Sequence, residues 1–345
     1  MHIFLTGGTG FIGQALVRAL RARGWTVDAL VREPAGAPAR WLAAQGCRLV
    51  RGDVTSPDGL REAMAGADAV IHNAGVYEFG AGVAQRARMQ QVNLRGTDHV
   101  LGAALAAGVP RTVYVSTVLA LGDSGPGPAD ERRRHGGRCR TAYERSKLDA
   151  HRCALQWRAR GLPLVIAMPN AVVGANDHAI LGYFLRMYLM RLLPPMAWGR
   201  DMMLAPVDVR ALAEGLCLAA EKAPIGEDYH FGGPPQSLGA VFGHWERHPG
   251  GARTRVWLPR AVMRAQFLFT EPLLHALGLP AFMSRDSVDA TRVNMNYSSA
   301  KAKRELGWEH PSAEAMWDRI VAEERALIDA RRGWRQRLRH QFLPA

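Results

Sequence analysis

The chain has 345 residues, of which 48% are hydrophobic and 22% charged, a composition that excludes a disordered or fibrous protein. Its net charge is +13, which we interpret as a bias towards arginine, with attraction to phosphate, nucleic acid or anionic lipid as the alternative. Four widely spaced cysteines without a CxxC pair argue against a disulfide framework or a bound metal, and they predict a reducing cytoplasmic compartment.

The first six residues predict a strand rather than a signal peptide, because no basic segment precedes a long apolar run. A membrane span needs ~18–20 consecutive apolar residues. The nearest approach, residues 179–196, is interrupted by Arg186 and Arg191. The basic stretch at 331–340 mixes arginine with tryptophan and leucine, which is compatible with weak contact to a membrane surface; a solvated tail is the simpler interpretation.

In chain order, short apolar runs alternate with helical patterns over the first 170 residues. Ile3–Leu5 and Thr26–Val31 flank a stretch with apolar residues at helical spacing, which Gly24 is suited to end. The series continues with Arg48–Val50, Ala69–His72, Thr112–Ser116 and Leu164–Met168. This alternation predicts an α/β fold of the Rossmann type, a doubly wound parallel sheet with helices on both faces.

The turn after the first strand reads TGGTGFIG, with GxxGxxG at Gly7, Gly10 and Gly13 and equally GxGxxG starting at Gly8. Glycines at this spacing permit a tight turn, close approach of the backbone to a pyrophosphate, and close packing of helix on strand. The following helix would offer unpaired N–H groups and its positive dipole end to the phosphates. Because the turn joins a strand to a helix, it predicts a bound dinucleotide; a glycine loop without ligand is the alternative.

The end of the second strand indicates which dinucleotide binds. A carboxylate there would bind both ribose hydroxyls of NAD, whereas Arg32 suits the 2′-phosphate of NADP. Glu33 is the competing residue, since a shift of one position would put it beside the ribose; Asp28 lies too early in the strand. The sequence therefore favours NADP(H) over NAD(H).

Tyr143 and Lys147 lie four residues apart and so share one face of a helix. Thr141 and Glu144 have the spacing of a capping box, which predicts that this helix begins there. A phenol with a pKa near 10 is a poor acid or base at neutral pH, and a nearby ammonium and the helix N-terminus both lower that pKa. A tyrosine and a lysine at this spacing are common on solvated helix faces. The pair indicates a catalytic site here only because it follows a dinucleotide turn.

After Asn170 the pattern loosens, and the apolar segments 182–193 and 260–279 are rich in Met, Phe and Leu. We predict a dinucleotide-binding core at 1–170 and a smaller, mainly helical substrate-binding region at 171–320 with segments that return to the core. A basic C-terminal helix or tail follows at 321–345. Ordinary helical core explains most of the apolar residues, and the remainder predict a hydrophobic substrate pocket.

Taken together, the motifs resemble those of the extended short-chain dehydrogenases/reductases of the epimerase/dehydratase superfamily. The likeness is greatest to the dihydroflavonol-reductase-like and 3β-hydroxysteroid-dehydrogenase-like members, and it covers nearly the whole chain. The motifs that carry it are TGGTGFIG, Gly52-Asp53-Val54, His72-Asn73-Ala74-Gly75, Val92–Thr97, Val115–Gly122, Tyr143 with Lys147, Pro169–Gly174, Val207–Val209 and Tyr297–Lys301.

The resemblance implies hydride transfer between a nicotinamide and a substrate carbon. It implies Tyr143 as general acid/base, Thr117 as the hydroxyl that binds the carbonyl with Ser116 in support, Lys147 as partner of the phenol and the ribose, and Asn93 as support for a proton-relay water. The implied cofactor-binding residues are Gly7, Gly10, Phe11, Ile12, Gly13, Arg32, Asp53, Val54, Ala74, Tyr143, Lys147, Pro169 and Val172.

Two departures from the family pattern bear on the reaction. Threonine stands at position 117 where serine is usual, and no acidic residue follows it, which disfavours the sugar-nucleotide dehydratases. Epimerases return the hydride to the same substrate and gain little from NADP, so Arg32 favours an NADPH-dependent reductase of a hydrophobic ketone or aldehyde. An NAD-retaining sugar-nucleotide epimerase and a non-catalytic cofactor sensor are the alternatives. We expect a monomer or homodimer and no nucleic-acid partner, because no binding module is recognised.

Overall fold

The computed structural model describes residues 1–78, 82–276 and 284–331. Its strands are β1 (His2–Thr6), β2 (Thr26–Val31), β3 (Arg48–Arg51), β4 (Ala69–His72), β5 (Thr112–Val115), β6 (Leu164–Pro169), β7 (Val172–Val173), β8 (Met196–Trp198), β9 (Met203–Leu204), β10 (Val207–Asp208), β11 (Asp228–Phe231), β12 (Gln236–Ser237) and β13 (Val256–Leu258).

The α-helices are α1 (Phe11–Ala22), α2 (Ala37–Ala44), α3 (Leu60–Ala63), α4 (Val83–Met89), α5 (Gly96–Ala106), α6 (Ala142–Ala159), α7 (Ile180–Leu189), α8 (Val209–Lys222), α9 (Leu238–Trp245), α10 (Arg260–Ala276), α11 (Arg285–Ala290), α12 (Ala300–Leu306) and α13 (Ala313–Ala330). A π-helical segment, Gln90–Arg95, joins α4 to α5, and a short 3₁₀ helix, Val118–Leu121, follows β5.

Seven strands form one sheet in the order β3-β2-β1-β4-β5-β6-β11, and every neighbouring pair is parallel. The chain builds the sheet outwards from β1 to β3 and then restarts at β4 on the other side of β1. In such a sheet the ligand crevice lies at the carboxyl ends of the strands where the order reverses. The predicted Rossmann-type α/β fold is confirmed.

The strands are apolar in succession because both faces of the sheet are covered. Ile3 and Leu5 belong to the core shared with α1, α8 and α12, whereas Phe4 belongs to the core shared with α5 and α6. Alternate side chains of one strand point to opposite faces, so a continuous apolar run is what a doubly covered strand requires. Gly24, with φ +72°, follows α1 in the left-handed conformation expected of a helix-ending glycine.

A third core, built around Phe184, Trp245 and Trp317, joins α7, α9, α10 and α13 above the carboxyl edge of the sheet. Two segments of the same half return to the sheet: β11 pairs with β6, and α8 packs beside α1.

The predicted division of the chain at residue 170 stays a prediction, and the predicted boundary at 320/321 falls inside α13. Most of the predicted basic tail, and residues 277–279 of the apolar segment, lie outside the described residues. No described helix combines the length and apolar character that crossing a membrane requires.

Candidate active site

One cavity of about 820 Å³ runs along the carboxyl edge of the sheet and continues beneath α7, α9 and α10. Thirteen of the fifteen predicted site residues line it; Gly13 and Asn93 do not. The structure thus brings together residues that lie up to 165 positions apart, between Gly7 and Val172. Its first half is bounded by the glycine turn and the ends of β2 to β6, and its second half by the C-terminal helices.

The glycine turn has no space for side chains at its first and last glycines. Gly7 has φ +72°, and a Cβ there would lie 2.7 Å from the backbone nitrogen of Ala74. A Cβ on Gly13 would lie 2.1 Å from the Gly7 carbonyl oxygen, so this glycine allows α1 to pack against the turn rather than facing the cavity. Gly10 borders the cavity, and no side chain caps the helix that starts after it. This open cradle fits a dinucleotide pyrophosphate.

A buried network behind the turn holds it in place. His72 Nδ1 lies 2.7 Å from Thr6 Oγ1, and His72 Nε2 lies 3.1 Å from Thr97 Oγ1, which itself donates to the Asn93 carbonyl. Burial lowers the pKa of His72 to about 3, so the imidazole is neutral, with its proton on Nε2. Thr6 Oγ1 also accepts from Ala74 N. Sequence reasoning missed Thr6 and Thr97, although polar residues at the ends of apolar runs were a usable signal.

Arg32 and Glu33 share a second pocket, but only Arg32 also borders the main cavity. Arg32 is exposed at the rim of the main cavity, and its guanidinium makes no ion pair or hydrogen bond with any described residue. Glu33 lines only a separate pocket of about 370 Å³, with Arg51 on its wall. Asp28 is buried at the far end of β2, where its carboxylate pairs with Arg48 and with His2 Nε2 at 2.7 Å. Of the three, only Arg32 borders the main cavity.

The helix that carries Tyr143 begins as predicted, but only half of the expected capping box forms. Thr141 Oγ1 accepts from Glu144 N at 3.1 Å. The Glu144 carboxylate does not return to Thr141; it accepts from Arg140 N at 2.7 Å and lies 3.1 Å from His135 Nε2. Glu144 therefore ties the preceding loop to α6, which was not foreseen.

The pKa of Tyr143 is shifted in the direction opposite to the prediction. The Lys147 ammonium donates to the Val115 carbonyl at 3.2 Å and lies 5.2 Å from the centre of the Tyr114 ring. Burial lowers the pKa of Lys147 to about 8 and raises the pKa of Tyr143 above its usual 10. The expectation that Lys147 and the helix end lower the phenol pKa is wrong for this arrangement, because desolvation dominates both groups.

The predicted hydroxyls lie at the end of β5, and both are buried. Thr117 Oγ1 accepts from Leu119 N at 3.3 Å and donates to the Pro169 carbonyl at 3.4 Å, while its residue borders the cavity. Ser116 Oγ lies 3.0 Å from His151 Nδ1, and burial lowers the pKa of that histidine to about 4. Ser116 is thereby anchored to α6, which agrees with a supporting position.

Asn93 does not border the cavity, and its role in supporting a proton-relay water stays a prediction. It lies in the π-helical segment, where its Oδ1 accepts from Val76 N at 2.7 Å and its Nδ2 donates to the Val76 carbonyl and to Ser146 Oγ, both at 2.9 Å. These bonds use its side chain to fix the strand exit after β4 rather than to face the cavity. Tyr77, the residue after Val76, borders the cavity. Its ring lies edge-on to that of Tyr143, with 4.6 Å between the ring centres. Sequence reasoning missed Tyr77.

The second half of the cavity is apolar. Among the described residues from 171 onwards, its lining includes no lysine or arginine, and the few polar members are Asp177, His178, Gln266, Ser287 and Thr291. Asp177 is buried, and burial raises its pKa to about 6 although its carboxylate accepts from Ala179 N and Gly182 N. The large apolar members are Ile180, Leu181, Phe184, Leu193, Met196, Trp198, Met202, Leu238, Phe242, Met263 and Phe267.

Three potential metal ligands, His135, Cys139 and Glu144, bring their ligand atoms within 4.8 Å of one another beside the start of α6. Gly137 N donates to His135 Nδ1 at 2.7 Å, so the ring proton sits on Nε2 and points to Glu144. With its lone pair already used, the imidazole is arranged for a hydrogen bond rather than for a metal. We interpret the cluster as a support of the loop; the expected lack of a metal stays a prediction.

Residues 3–232 match the model of the NAD dependent epimerase/dehydratase family, about two thirds of the chain, and the protein belongs to this family. A Stigmatella aurantiaca protein, 4-hydroxy-2-methyl-3-oxo-4-farnesyl-3,4-dihydroquinoline-1-oxide ketoreductase, is 32% identical over 89% of this chain and 92% of its own length. A 3-beta-hydroxysteroid dehydrogenase of Mycolicibacterium neoaurum is 28% identical over 89% of this chain and 87% of its own.

Among solved structures, that of gox2253 is 29% identical, covers 94% of this chain and 98% of its own, and superposes with a TM-score of 0.76. A Thermotoga maritima UDP-glucose 4-epimerase is 19% identical, with a TM-score of 0.75 and coverage of 95% and 100%, which is a likeness of fold alone. Family and relatives together identify the chain as an NAD(P)-dependent oxidoreductase, with the likeness to reductases and dehydrogenases that its motifs predicted.

Proposed function

We propose that the protein is an NADPH-dependent reductase that converts a hydrophobic ketone or aldehyde to an alcohol. The observation that carries this proposal is the continuity of the cavity from the glycine turn, past Thr117 and Tyr143, into a pocket lined by Phe184 and Phe242. The named relatives support it, because one is a ketoreductase of a farnesylated quinoline oxide and another a hydroxysteroid dehydrogenase. Both names describe bulky apolar substrates.

In this proposal the first half of the cavity holds the dinucleotide, with the glycine turn and the start of α1 at the pyrophosphate and Arg32 at the 2′-phosphate. When bound, the reduced nicotinamide supplies the hydride. Arg32 has its guanidinium free among the described residues, and it is placed at the cavity rim where Glu33 is not. A planar guanidinium recognises a phosphate through paired hydrogen bonds.

Tyr143 and Thr117 act on the substrate carbonyl in the proposed reaction. Tyr143 donates a hydrogen bond to the carbonyl oxygen, and Thr117 does so when its hydroxyl turns from the Pro169 carbonyl. Tyr143 then gives its proton to the alkoxide that forms on that oxygen, leaving the alcohol. A phenol with a raised pKa stays protonated before the reaction, which suits a proton donor in the direction of reduction. Lys147 gives the phenolate that remains a nearby cationic group and holds the ribose. Tyr77 packs its ring against Tyr143 and limits its orientation.

The alternative function, a sugar-nucleotide epimerase with tightly held NAD, requires a site for a nucleotide diphosphate. Two phosphates call for cationic side chains, and the described lining of the second half contains none. We therefore rank the reductase first. A non-catalytic cofactor sensor would not need Thr117, Tyr143 and Lys147 gathered at one cavity.

Turnover by the purified protein tests the proposal. We expect oxidation of NADPH, faster than of NADH, in the presence of bulky apolar ketones, and loss of that turnover in Tyr143→Phe. Co-purified NAD that survives gel filtration, together with no net oxidation of added NADPH by any ketone, would overturn it in favour of the epimerase.

The four cysteines are unpaired thiols, and we propose a reducing cytoplasm as the compartment.

A further inference from the structure

Helix α10 has two apolar faces, only one of which is buried. Met263 and Phe267 point inwards, where they line the cavity, and Phe267 packs edge-on to Trp198 at 5.5 Å between ring centres. On the outside, Val262, Ala265, Phe269 and Leu273 follow one another at helical spacing. We name these four residues the outer stripe. A contiguous apolar surface exposed to solvent is typical of a site that contacts another protein or a membrane.

Exposure of the outer stripe is high. Phe269 is 81% exposed, Leu273 60% and Val262 50%, and the adjacent Leu268 is 46% exposed. The β8–β13 edge, whose strand β13 directly precedes α10 in the chain, adds two exposed apolar side chains: Met196 pairs in register with Val256, and they are 40% and 50% exposed. Scattered single apolar residues are ordinary on a protein surface, but a row of this length on one helix is not.

The surface adjoins the entrance of the apolar half of the cavity. Met196 and Gln266 are both exposed and both line the cavity, so they lie at its mouth. Gln266 follows Ala265 of the outer stripe directly, and Met196 lies at the exposed β8–β13 edge. A ligand that enters the apolar half therefore passes beside the exposed apolar surface.

Three arginines lie in the segments that lead into β8 and β13, at this exposed edge. Arg191, Arg253 and Arg255 are exposed, and none makes an ion pair with a residue in the described ranges. Arg255 is adjacent to the patch, since its backbone N–H donates to the Pro195 carbonyl at 2.9 Å. Three carboxylates on or near α10 already have ionic partners: Asp201 pairs with Arg260, Asp289 with Arg264, and Glu271 with Arg285. Apolar side chains flanked by free arginines fit the headgroup region of an anionic bilayer.

We propose that α10 docks the protein on the surface of an anionic lipid bilayer, with the outer stripe in the interface and the cavity mouth beside it. A second copy of the chain fits less well, because a two-fold contact would bring two sets of unpaired arginines into one interface and supply no added carboxylates from this surface. The inference rests on the proposed function for its purpose: a substrate dissolved in lipid reaches the apolar half without crossing water.

Co-sedimentation of the full-length protein with lipid vesicles, without substrate, tests the docking. We expect the protein to sediment with phosphatidylglycerol vesicles and much less with phosphatidylcholine vesicles, and binding to weaken as salt is added. Phe269→Asp should lower the bound fraction about tenfold, because it places a charge where an apolar ring would be buried. Arg253→Gln with Arg255→Gln should remove most of the preference for the anionic lipid.

Ile225→Asp is the matched control. Ile225 is 46% exposed and follows α8. Its neighbour Gly226 donates its N–H to the carbonyl of Leu164, the first residue of β6, so the control lies at the amino ends of the strands, opposite to the cavity. It should leave vesicle binding unchanged. Phe269→Asp should keep the melting temperature and the turnover of a short, water-soluble ketone, which shows that the variant is folded.

Wild-type protein that stays in the supernatant with phosphatidylglycerol vesicles overturns the docking. A wild-type dimer that Phe269→Asp converts to a monomer, seen by sedimentation velocity, overturns it in favour of a contact between copies. Neither readout uses turnover, so failure of the docking and failure of the reductase proposal are observed separately.

Discussion

The two halves of the cavity are built on different principles. The first half is shaped by backbone: Gly7 and Gly13 sit where no Cβ fits, and the helix start after Gly10 has its N–H groups free of side-chain caps. The second half is shaped by side chains, above all by aromatic rings such as Phe184, Trp198 and Phe242 that pack on one another. Backbone recognition suits a cofactor common to many proteins, whereas side chains can change from one relative to another and so set the substrate.

The halves also differ in the free-energy cost of removing charged groups from water. Lys147 is buried and Tyr143 half-buried at the junction, where desolvation shifts both pKa values towards the neutral forms. The apolar half carries no buried lysine or arginine on its described lining. The proposed chemistry is therefore concentrated at the junction, at a cost in stability, and the outer half contributes mainly apolar contact area.

The largest effect is expected at the junction. Tyr143→Phe removes the proton donor and leaves the ring, so kcat for ketone reduction should fall by ~10²–10⁴-fold, the range typical of a lost acid/base catalyst. NADPH affinity should change little. Steady-state kinetics together with fluorescence titration of NADPH separate the two quantities. Undiminished turnover in this variant would rule out Tyr143 as the donor.

Arg32→Asp should change cofactor binding in the first half of the cavity and leave substrate binding in the second half unchanged. Loss of a charge-assisted bond to the 2′-phosphate, with a carboxylate in its place, should weaken NADPH binding by roughly 10- to 100-fold and leave NADH binding similar or tighter. The KM for the ketone should be unchanged. Glu33→Gln is the control, because Glu33 lines only the side pocket. Equal losses for both dinucleotides would contradict a specificity role.

Lys147→Met should stabilise the cofactor-free protein while abolishing turnover. The pKa of Lys147 is lowered from 10.5 to about 8 by burial, so the folded state holds the charged form less well than the unfolded state does. The resulting penalty is fully present below pH 8 and disappears as the pH rises from about 8 to 10.5. We expect a gain of roughly 1–3 kcal/mol in the free energy of unfolding at pH 7, shrinking towards pH 10.

Urea unfolding at the two pH values measures this difference, with Lys222→Met as a control at an exposed helix end. The control should show no such pH-dependent gain. A Lys147→Met variant less stable than the wild type at pH 7 would mean that its bond to Val115 outweighs the desolvation cost.

The smallest effect is expected in the apolar half. Phe184→Leu keeps the wall apolar but removes the ring that packs against Trp198 and Phe242. The KM for a bulky ketone should rise by roughly three- to tenfold, the size of a partial loss of apolar contact. NADPH affinity should stay unchanged, the mirror image of Arg32→Asp. If Phe184→Leu changes NADPH affinity and not the ketone KM, the division into two halves is wrong.

Residues close together in sequence account for most of what was predicted correctly. The apolar strands, the glycine turn and Gly24 follow from local spacing, because periodicity and backbone conformation are set within a few residues. The family motifs placed thirteen of the fifteen site residues at one cavity. Two sets of contacts were not foreseen: the Asn93 side chain bonds to Val76, and the Glu144 carboxylate accepts from Arg140 N and lies beside His135 in the loop before α6.

By itself, then, the sequence determined the doubly wound sheet, the dinucleotide turn and the residues gathered at the ends of the strands. Only the tertiary structure decided that Arg32 rather than Glu33 borders the main cavity, that burial raises the pKa of Tyr143, and that α10 presents apolar residues to both the cavity and the solvent. The reason is physical: desolvation and the direction of a side chain depend on which distant segments pack around it, and no local pattern encodes that packing.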